Sequence, residues 1–295
     1  MTHDSSTDSA SDAGAPTASV PPNRGPAQPP GMPPQHGEYP TPYGAAWTGM
    51  PAGGPPQPPA VPAPRRHWGM PSALIGLVLF IGMQLVVGVS FALAWVLTGN
   101  ESDPPALAMG LATLLPAYLA LLLWQFFVAR RRGDGMRADY ALRFRWYDIF
   151  TGILGGFVAM GVVLGGTLGM SELTGVEPSS SVGTTVLEST ETGPVLYVFL
   201  VVIALVGPLV EELHFRGMWW RALRSRMGPV LTLVLTSLLF GVIHLEPVRM
   251  VGLLLGGLVL GLLRLLFDRL APSLIAHILI NSVSAGSLFY ELVLK

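Results

Sequence analysis

The chain has 295 residues, of which 51% are hydrophobic and 12% charged, whereas a typical soluble domain has about 25% charged residues, so a soluble enzyme is disfavoured. The formal net charge is -1 and the single lysine is Lys295, which predicts no nucleic-acid partner, because a basic surface is needed to bind a phosphate backbone. The chain has no cysteine, which excludes disulfides, thiolate catalysis and cysteine-ligated metal sites.

Residues 1–66 are predicted to form a disordered tail rich in proline, glycine and serine. Of the 27 prolines, 17 precede Arg65, and few side chains there are large and apolar enough to offset the entropy lost on folding. No apolar signal-peptide core follows Met1, so we expect the tail to begin in the cytoplasm. It could bind a cytoplasmic partner or serve only as a tether.

Residues 67–295 are predicted to form an all-α transmembrane domain. Apolar stretches of about 17 to 25 residues recur there, and about 20 helical residues span the hydrocarbon core of a bilayer. The predicted helices are Ser72 to Leu97, Pro105 to Ala129, Ile149 to Met170, Pro194 to about Arg221, Pro229 to His244, Val248 to Leu266 and Ala271 to Leu292. The fold class is therefore a polytopic bundle of about seven helices in the cell membrane.

Links that carry arginine alternate along the chain with links that carry acidic residues. Arginines precede the first helix and follow the second, fourth and sixth, at Arg65, Arg66, Arg130, Arg131, Arg132, Arg137, Arg143, Arg145, Arg224, Arg226 and Arg269. The links after the first and third helices contain acidic residues and no basic ones, at Glu101, Asp103, Glu172, Glu177, Glu188 and Glu191. Because arginine-rich links stay in the cytoplasm, the N-terminus is predicted to be cytoplasmic and the C-terminus external.

Small residues recur at four-residue spacing on two of the predicted helices. Gly152 and Gly156 lie on the third helix, and Gly252 and Gly256 on the sixth. Further glycines follow on the same helices, at Gly161, Gly165, Gly169, Gly257 and Gly261. Such faces let helix backbones approach closely, so we expect these helices to pack through their glycines.

Three groups of polar residues lie inside the predicted helices. They are Glu211, Glu212, His214 and Arg216 on the fourth helix, Phe240 and His244 on the fifth, and His277 and Asn281 on the seventh. An ionisable side chain in a membrane helix costs about 2.5 to 3.5 kcal/mol on insertion scales, so a cluster of them needs a reason. Taken singly, the glutamates could lie at the membrane boundary, His244 at an interface, and His277 with Asn281 in a contact between helices; their joint pattern favours a functional site.

The spacing of these groups predicts that they meet. Gly228-Pro229 is typical of a turn between two helices. Glu212 lies 16 residues before Gly228 and His244 lies 16 residues after it, so both are about 24 Å from the turn and can face each other. His277 and Asn281 are four residues apart and share one face of their helix.

The two adjacent glutamates are predicted to have different roles. Glu212 lies four residues before Arg216, a spacing that favours an ion pair. Glu211 points about 100° away from Glu212 and has no counterion nearby in the sequence, which suits a desolvated general base. His214 is predicted to be a packing residue. Glu246 and Arg249, in an external turn, are predicted to form a solvated pair.

Together the motifs Glu211-Glu212-x-x-x-Arg216, Phe240-x-x-x-His244 and His277-x-x-x-Asn281 resemble the three signature motifs of the CPBP family. This family contains CAAX prenyl endopeptidases and bacteriocin-processing enzymes, also called Abi proteins. The resemblance covers about residues 194–292 and implies intramembrane hydrolysis of a peptide bond.

The resemblance also implies roles for the site residues. Glu211 would be the general base, and His244 would hold the attacking water. His277 and Asn281 would stabilise the oxyanion beside a structural pair of Glu212 and Arg216. Alternatively Glu211, His244 and His277 would bind a divalent metal such as zinc.

The implied substrate is a membrane-associated or lipidated protein or peptide. Other membrane proteases fit less well, because the His-Glu-x-x-His motif and paired intramembrane aspartates are absent and no serine is framed as a rhomboid nucleophile. Two other classes stay open: a non-proteolytic membrane scaffold or immunity protein that retains the motifs, and a proton-coupled transporter with glutamate and histidine as proton carriers.

Overall fold

The computed structural model describes residues 68–99, 104–178, 181–189 and 193–295. The predicted tail, residues 1–66, lies outside these ranges, as do Glu101, Asp103 and Glu191. The predictions of disorder and of a cytoplasmic partner for the tail therefore stay predictions.

The described residues form helices and connecting turns, with no strand among them. The helices are α1 (Met70–Leu97), α2 (Ala106–Arg132), α3 (Met136–Asp139), α4 (Asp148–Thr174), α5 (Ser181–Glu188), α6 (Pro194–Arg224), α7 (Pro229–Ile243), α8 (Met250–Phe267) and α9 (Ala271–Leu294). Proline occupies the first turn of α6, α7 and α9, where its missing N–H is not needed for a helical hydrogen bond. The predicted all-α class is confirmed.

Six of the described helices are long and apolar enough to cross a membrane: α1, α2, α4, α6, α8 and α9. Their ends lie within a few residues of the predicted ones. The remaining predicted span, α7, has 15 residues and a length of about 22 Å, shorter than the roughly 30 Å of a hydrocarbon core. The protein is therefore a multi-pass membrane helix bundle.

The glycines of α4 and α8 mark where these helices pack. A Cβ atom added to Gly252 would lie 2.4 Å from the carbonyl oxygen of Val163, and one added to Gly256 would lie 2.6 Å from that valine's side chain. Gly152 of α4 is similarly close to Ile275 of α9. The predicted close packing is confirmed at these positions. A Cβ atom added to Gly161, Gly165 or Gly169 of α4 would meet no atom of another element within 4 Å.

The three arginine-bearing links that the structure describes, after α2, α6 and α8, lie at one end of the bundle together with the start of α1, and we call this the arginine end. There the Arg269 guanidinium donates to both carboxylate oxygens of Asp148 at 2.8 Å, joining the start of α9 to the start of α4. Arg221, near the end of α6, pairs with Asp139 of α3 at 2.7 Å, and the indole of Trp68 donates to Asp139 at 3.2 Å. The shared end agrees with the predicted alternation, and its cytoplasmic orientation stays a prediction.

Candidate active site

The helix that carries the two glutamates is not a regular α-helix. The π-helical stretches Val202–Val206 and Leu213–Trp219 flank an α-helical segment, Gly207–Glu212. Such widened turns occur often at functional sites. His214 accepts a hydrogen bond from the indole N–H of Trp219 at 3.0 Å, five residues along the chain. The histidine is buried and lines the cavity described below. Its packing role stays a prediction, and Trp219 is a partner that regular helical spacing does not suggest.

Glu212 and Arg216 form the predicted ion pair. Both side chains are fully buried, and the Arg216 Nη1 to Glu212 Oε1 distance is 2.8 Å. The other Glu212 oxygen accepts a hydrogen bond from the Ser273 hydroxyl of α9. Arg216 donates to the carbonyl of Gly257 on α8 at 3.0 Å, and its guanidinium lies 4.6 Å from the centre of the Phe240 ring. The pair thus joins α6, α7, α8 and α9.

Glu211 lines a cavity of about 380 Å³, whereas Glu212 lies behind the cavity wall. The exposed fractions of their side chains are 19% and 0%. The phenol of Tyr118 on α2 donates a hydrogen bond to Glu211 at 3.2 Å. The two carboxylates therefore point in different directions, as the sequence predicts. We call this space the glutamate cavity.

His277 lies between the two glutamates. Its Nδ1 is 3.1 Å from Glu212 Oε1 and its Nε2 is 3.8 Å from Glu211 Oε2. Because a carboxylate accepts hydrogen bonds, we assign the Nδ1 proton to this contact. The Nε2 atom then faces Glu211. The buried pair thus fixes the orientation of a ring that reaches the glutamate cavity.

His244 caps the C-terminal end of the short helix α7 and lines the glutamate cavity. Its Nδ1 is 2.7 Å from the Phe240 carbonyl oxygen. A carbonyl accepts but cannot donate, so Nδ1 carries a proton and Nε2 is an acceptor in the neutral ring. The Phe240 ring contacts the rings of both His244 and His277, with centroids 4.8 and 5.5 Å away.

Asn281 lines the glutamate cavity one helical turn beyond His277. Its side-chain amide donates to the carbonyl of Ile203 at 2.9 Å. Ile203 belongs to the first π-helical stretch of α6, so this bond links α9 to the irregular part of α6. The predicted shared face of His277 and Asn281 is confirmed, and all three motifs meet.

Glu246 and Arg249 are not the solvated pair that the sequence predicts. Their side chains are 11% and 27% exposed, lie 2.5 Å apart and line the glutamate cavity. The difference arises because α7 is short and the chain turns back at Leu245, which has a φ of 54°. The turn between α7 and α8 therefore contributes polar groups to the cavity.

Sequence reasoning missed Tyr118 and Ser273. Ser273 precedes His277 by four residues, as His277 precedes Asn281, so the polar stripe on this helix face was a signal that could have revealed it. Tyr118 lies in an apolar stretch 93 residues before Glu211. Nothing local in the sequence marks it as a neighbour of the site.

The metal-binding alternative of the sequence analysis stays a prediction. Among the residues that the structure describes, no three histidine, aspartate or glutamate side chains are placed to hold an ion. Glu211, His244 and His277, the alternative ligand set of the sequence prediction, line one cavity without forming such a group.

Comparison with known proteins supports the resemblance. Residues 193–283 match the family described as Type II CAAX prenyl endopeptidase Rce1-like. No curated protein and no solved structure matches the chain. The matched range contains all six predicted site residues and agrees with the range of the three motifs. It supports a membrane-embedded endopeptidase with a membrane-associated substrate. The match over residues 193–283 therefore supports the resemblance of the three motifs to the CPBP family, which contains the CAAX prenyl endopeptidases.

Proposed function

We propose that this protein is an intramembrane endopeptidase in which Glu211 activates a water molecule to hydrolyse a peptide bond. The observation that carries the proposal is the division between the two glutamates. Glu212 is buried in an ion pair, whereas Glu211 faces the glutamate cavity with His277 Nε2 at 3.8 Å. A carboxylate without an arginine partner, in a cavity that His244 and His277 also line, suits general-base catalysis.

In the proposed reaction a water molecule binds between Glu211 and the Nε2 of His244. Glu211 removes a proton as the water oxygen attacks the peptide carbonyl carbon. A tetrahedral oxyanion forms, and Glu211 then delivers the proton to the amide nitrogen as the C–N bond breaks. Proton transfer of this kind contributes about 10²- to 10⁴-fold to the rate.

His277 and Asn281 are proposed to stabilise the oxyanion. The Nδ1 of His277 contacts Glu212, so its Nε2 lies on the side of the ring that faces Glu211, where an N–H would donate to the developing charge. Asn281 uses one amide N–H on Ile203, which leaves the second for the oxyanion. Donors held in place before the reaction stabilise the transition state without reorganisation.

The walls of the glutamate cavity suit an apolar substrate segment. Leu77 and Phe80 of α1, Leu114 of α2 and Ile280 of α9 lie beside the polar groups. We propose that these side chains contact the lipid group or apolar residues of a membrane-associated protein or peptide, which places the scissile bond beside Glu211.

Single-turnover cleavage of a short lipidated peptide by the purified full chain tests the proposal. Glu211→Gln keeps the shape of the side chain and removes the base, so we expect the rate to fall about 10²- to 10⁴-fold. Tyr118→Phe removes a hydrogen bond to the carboxylate and should lower the rate about tenfold. Glu172→Gln, at an exposed position near the end of α4, is the matched control and should cleave at the parental rate.

Three outcomes would contradict the proposal. Cleavage by Glu211→Gln at the parental rate would remove Glu211 as the base. No cleavage of lipidated or unmodified peptides by the folded parental chain would favour a non-proteolytic scaffold, and proton-coupled uptake into proteoliposomes would favour a transporter.

A further inference from the structure

A second cavity, of about 680 Å³, lies at the arginine end of the bundle and shares no lining residue with the glutamate cavity. We call it the arginine cavity. Its lining comes from the segments next to all four arginine-bearing links: Trp68 before α1, Asp139 to Arg143 between α2 and α4, Arg221 to Arg226 at the end of α6, and Arg264 with Asp268 at the end of α8.

The arginine cavity has an excess of positive charge. Five arginines and two aspartates line it. Arg221 pairs with Asp139 at 2.7 Å, and Arg264 pairs with Asp268 at 3.0 Å. The other three, which have no carboxylate partner among the residues described, are Arg143, Arg224 and Arg226. These three positive charges are not balanced by the walls.

The unbalanced arginines line the same cavity as Arg264. Like charges that share one cavity repel one another. Arg226 donates to the carbonyl of Ala222 and Arg224 to that of Met227, at 3.0 and 3.4 Å. Such neutral acceptors do not offset the repulsion, so the cavity is prepared for an anion.

Two tryptophans give the arginine cavity an amphipathic wall. The guanidinium of Arg221 lies 5.4 Å from the centre of the Trp68 ring, and that of Arg264 lies 5.5 Å from Trp220. Both rings are buried in the protein and line the cavity near the ends of membrane-spanning helices. Basic cavities between helix ends are suited to negatively charged headgroups.

From this geometry we propose that the arginine cavity binds the phosphate of an anionic phospholipid, with Arg143, Arg224 and Arg226 donating to its oxygens. Guanidinium groups match phosphate oxygens in geometry and charge. A lipid fits better than a free phosphate ester, because the cavity lies at the ends of membrane-spanning helices and is walled by tryptophan.

The bound lipid would lie directly behind the catalytic motif. Arg264 donates from its Nε to the backbone carbonyl of Arg216 at 3.1 Å. A headgroup that stabilises Arg264 therefore acts on the π-helical stretch that follows Glu212, and binding should raise the thermal midpoint of the whole bundle.

Phosphatidylglycerol binding to the purified full chain in a neutral detergent tests the proposal. The readouts are the dissociation constant of a fluorescent phosphatidylglycerol and the thermal midpoint, with phosphatidylcholine as the neutral lipid. The double variant Arg143→Gln and Arg224→Gln should weaken binding roughly 30-fold, from the electrostatic attraction that each arginine contributes near a headgroup. The matched control, Arg131→Gln with Arg132→Gln, removes the same charge from exposed positions at the end of α2 and should bind as the parent does.

Three results would overturn the proposal: equal weakening in the control variant, equal binding of phosphatidylcholine, or displacement of the lipid by equimolar glycerol phosphate. The first would show diffuse attraction only, and the last a site for free phosphate esters. Arg226→Gln alone is a milder change, and it should weaken binding in the same direction if the double variant fails to fold.

Discussion

At the scale of single residues, Glu211 and Glu212 are neighbours in sequence with opposite surroundings. Glu212 is held by Arg216, Ser273 and His277, whereas Glu211 contacts Tyr118 at the edge of a cavity. We therefore expect Glu212 to matter chiefly for stability and Glu211 for activity.

Glu212→Ala should lower the free energy of unfolding by about 3 to 5 kcal/mol, because it leaves the charge of Arg216 buried and unpaired. Arg216→Ala should do the same by leaving Glu212 unpaired. The measurement is a thermal melt of each variant in detergent, together with the yield of folded protein.

Glu211→Gln is the matched control for these melts. The substitution changes a neighbouring carboxylate that has no arginine partner, so the thermal midpoint of the variant should not fall. A stable, inactive Glu212→Ala together with an unfolded Glu211→Gln would show that the roles of the two glutamates are reversed.

The site was partly predictable from residue spacing. An ion pair four residues apart on one helix follows from helical geometry, and so does the shared face of His277 and Asn281. The Tyr118 contact was not predictable, because it depends on how α2 packs against α6. The prediction that Glu246 and Arg249 form a solvated pair was wrong for a similar reason, because their burial depends on where α7 ends.

At the scale of elements, the packing of α4 on α8 depends on glycine at particular positions. Gly252→Ala should lower the free energy of unfolding by about 1 to 3 kcal/mol, because overpacking forces neighbouring atoms apart. The added Cβ would otherwise lie 2.4 Å from the Val163 carbonyl oxygen. A thermal melt in detergent measures the change.

Gly161→Ala is the control for this substitution. Gly161 lies on α4 and has no neighbouring atoms within 4 Å of the position that a Cβ would take. Its midpoint should not fall. Equal losses in the two variants would mean that glycine acts through backbone properties and not through close packing.

Helix positions were predictable because apolar runs bounded by proline, glycine and arginine define them. The π-helical stretches of α6 were not. The residues around Ile203 are apolar on every side, so their periodicity gives no sign of a widened turn. The bond from Asn281 to the Ile203 carbonyl belongs to tertiary packing, which no local pattern reports.

At the scale of the whole molecule, the three arginine-bearing links that the structure describes share one end of the bundle with the start of α1. Helices α7 and α8 leave that end and return to it, so the short length of α7 does not change the side on which α9 ends. A reporter that is active only in the cytoplasm should therefore give no signal when fused to Lys295, because arginine-rich links stay in the cytoplasm.

The same reporter inserted after Arg132 is the positive control for orientation. This site follows α2 at the arginine end and should give a strong signal. A strong signal from Lys295 and none from the insertion would mean that the bundle has the inverted orientation.

Glu211 and Glu212 are adjacent in the chain, so the proposed reacting carboxylate can be changed without touching the one that stabilises the fold. A Glu211→Gln chain would keep the ion pair, both histidines and the apolar walls, and would therefore hold a substrate that it cannot cut. Expressed in the native cell, such a chain would serve as bait, and the peptide or lipoprotein retained with it during purification would identify the natural substrate.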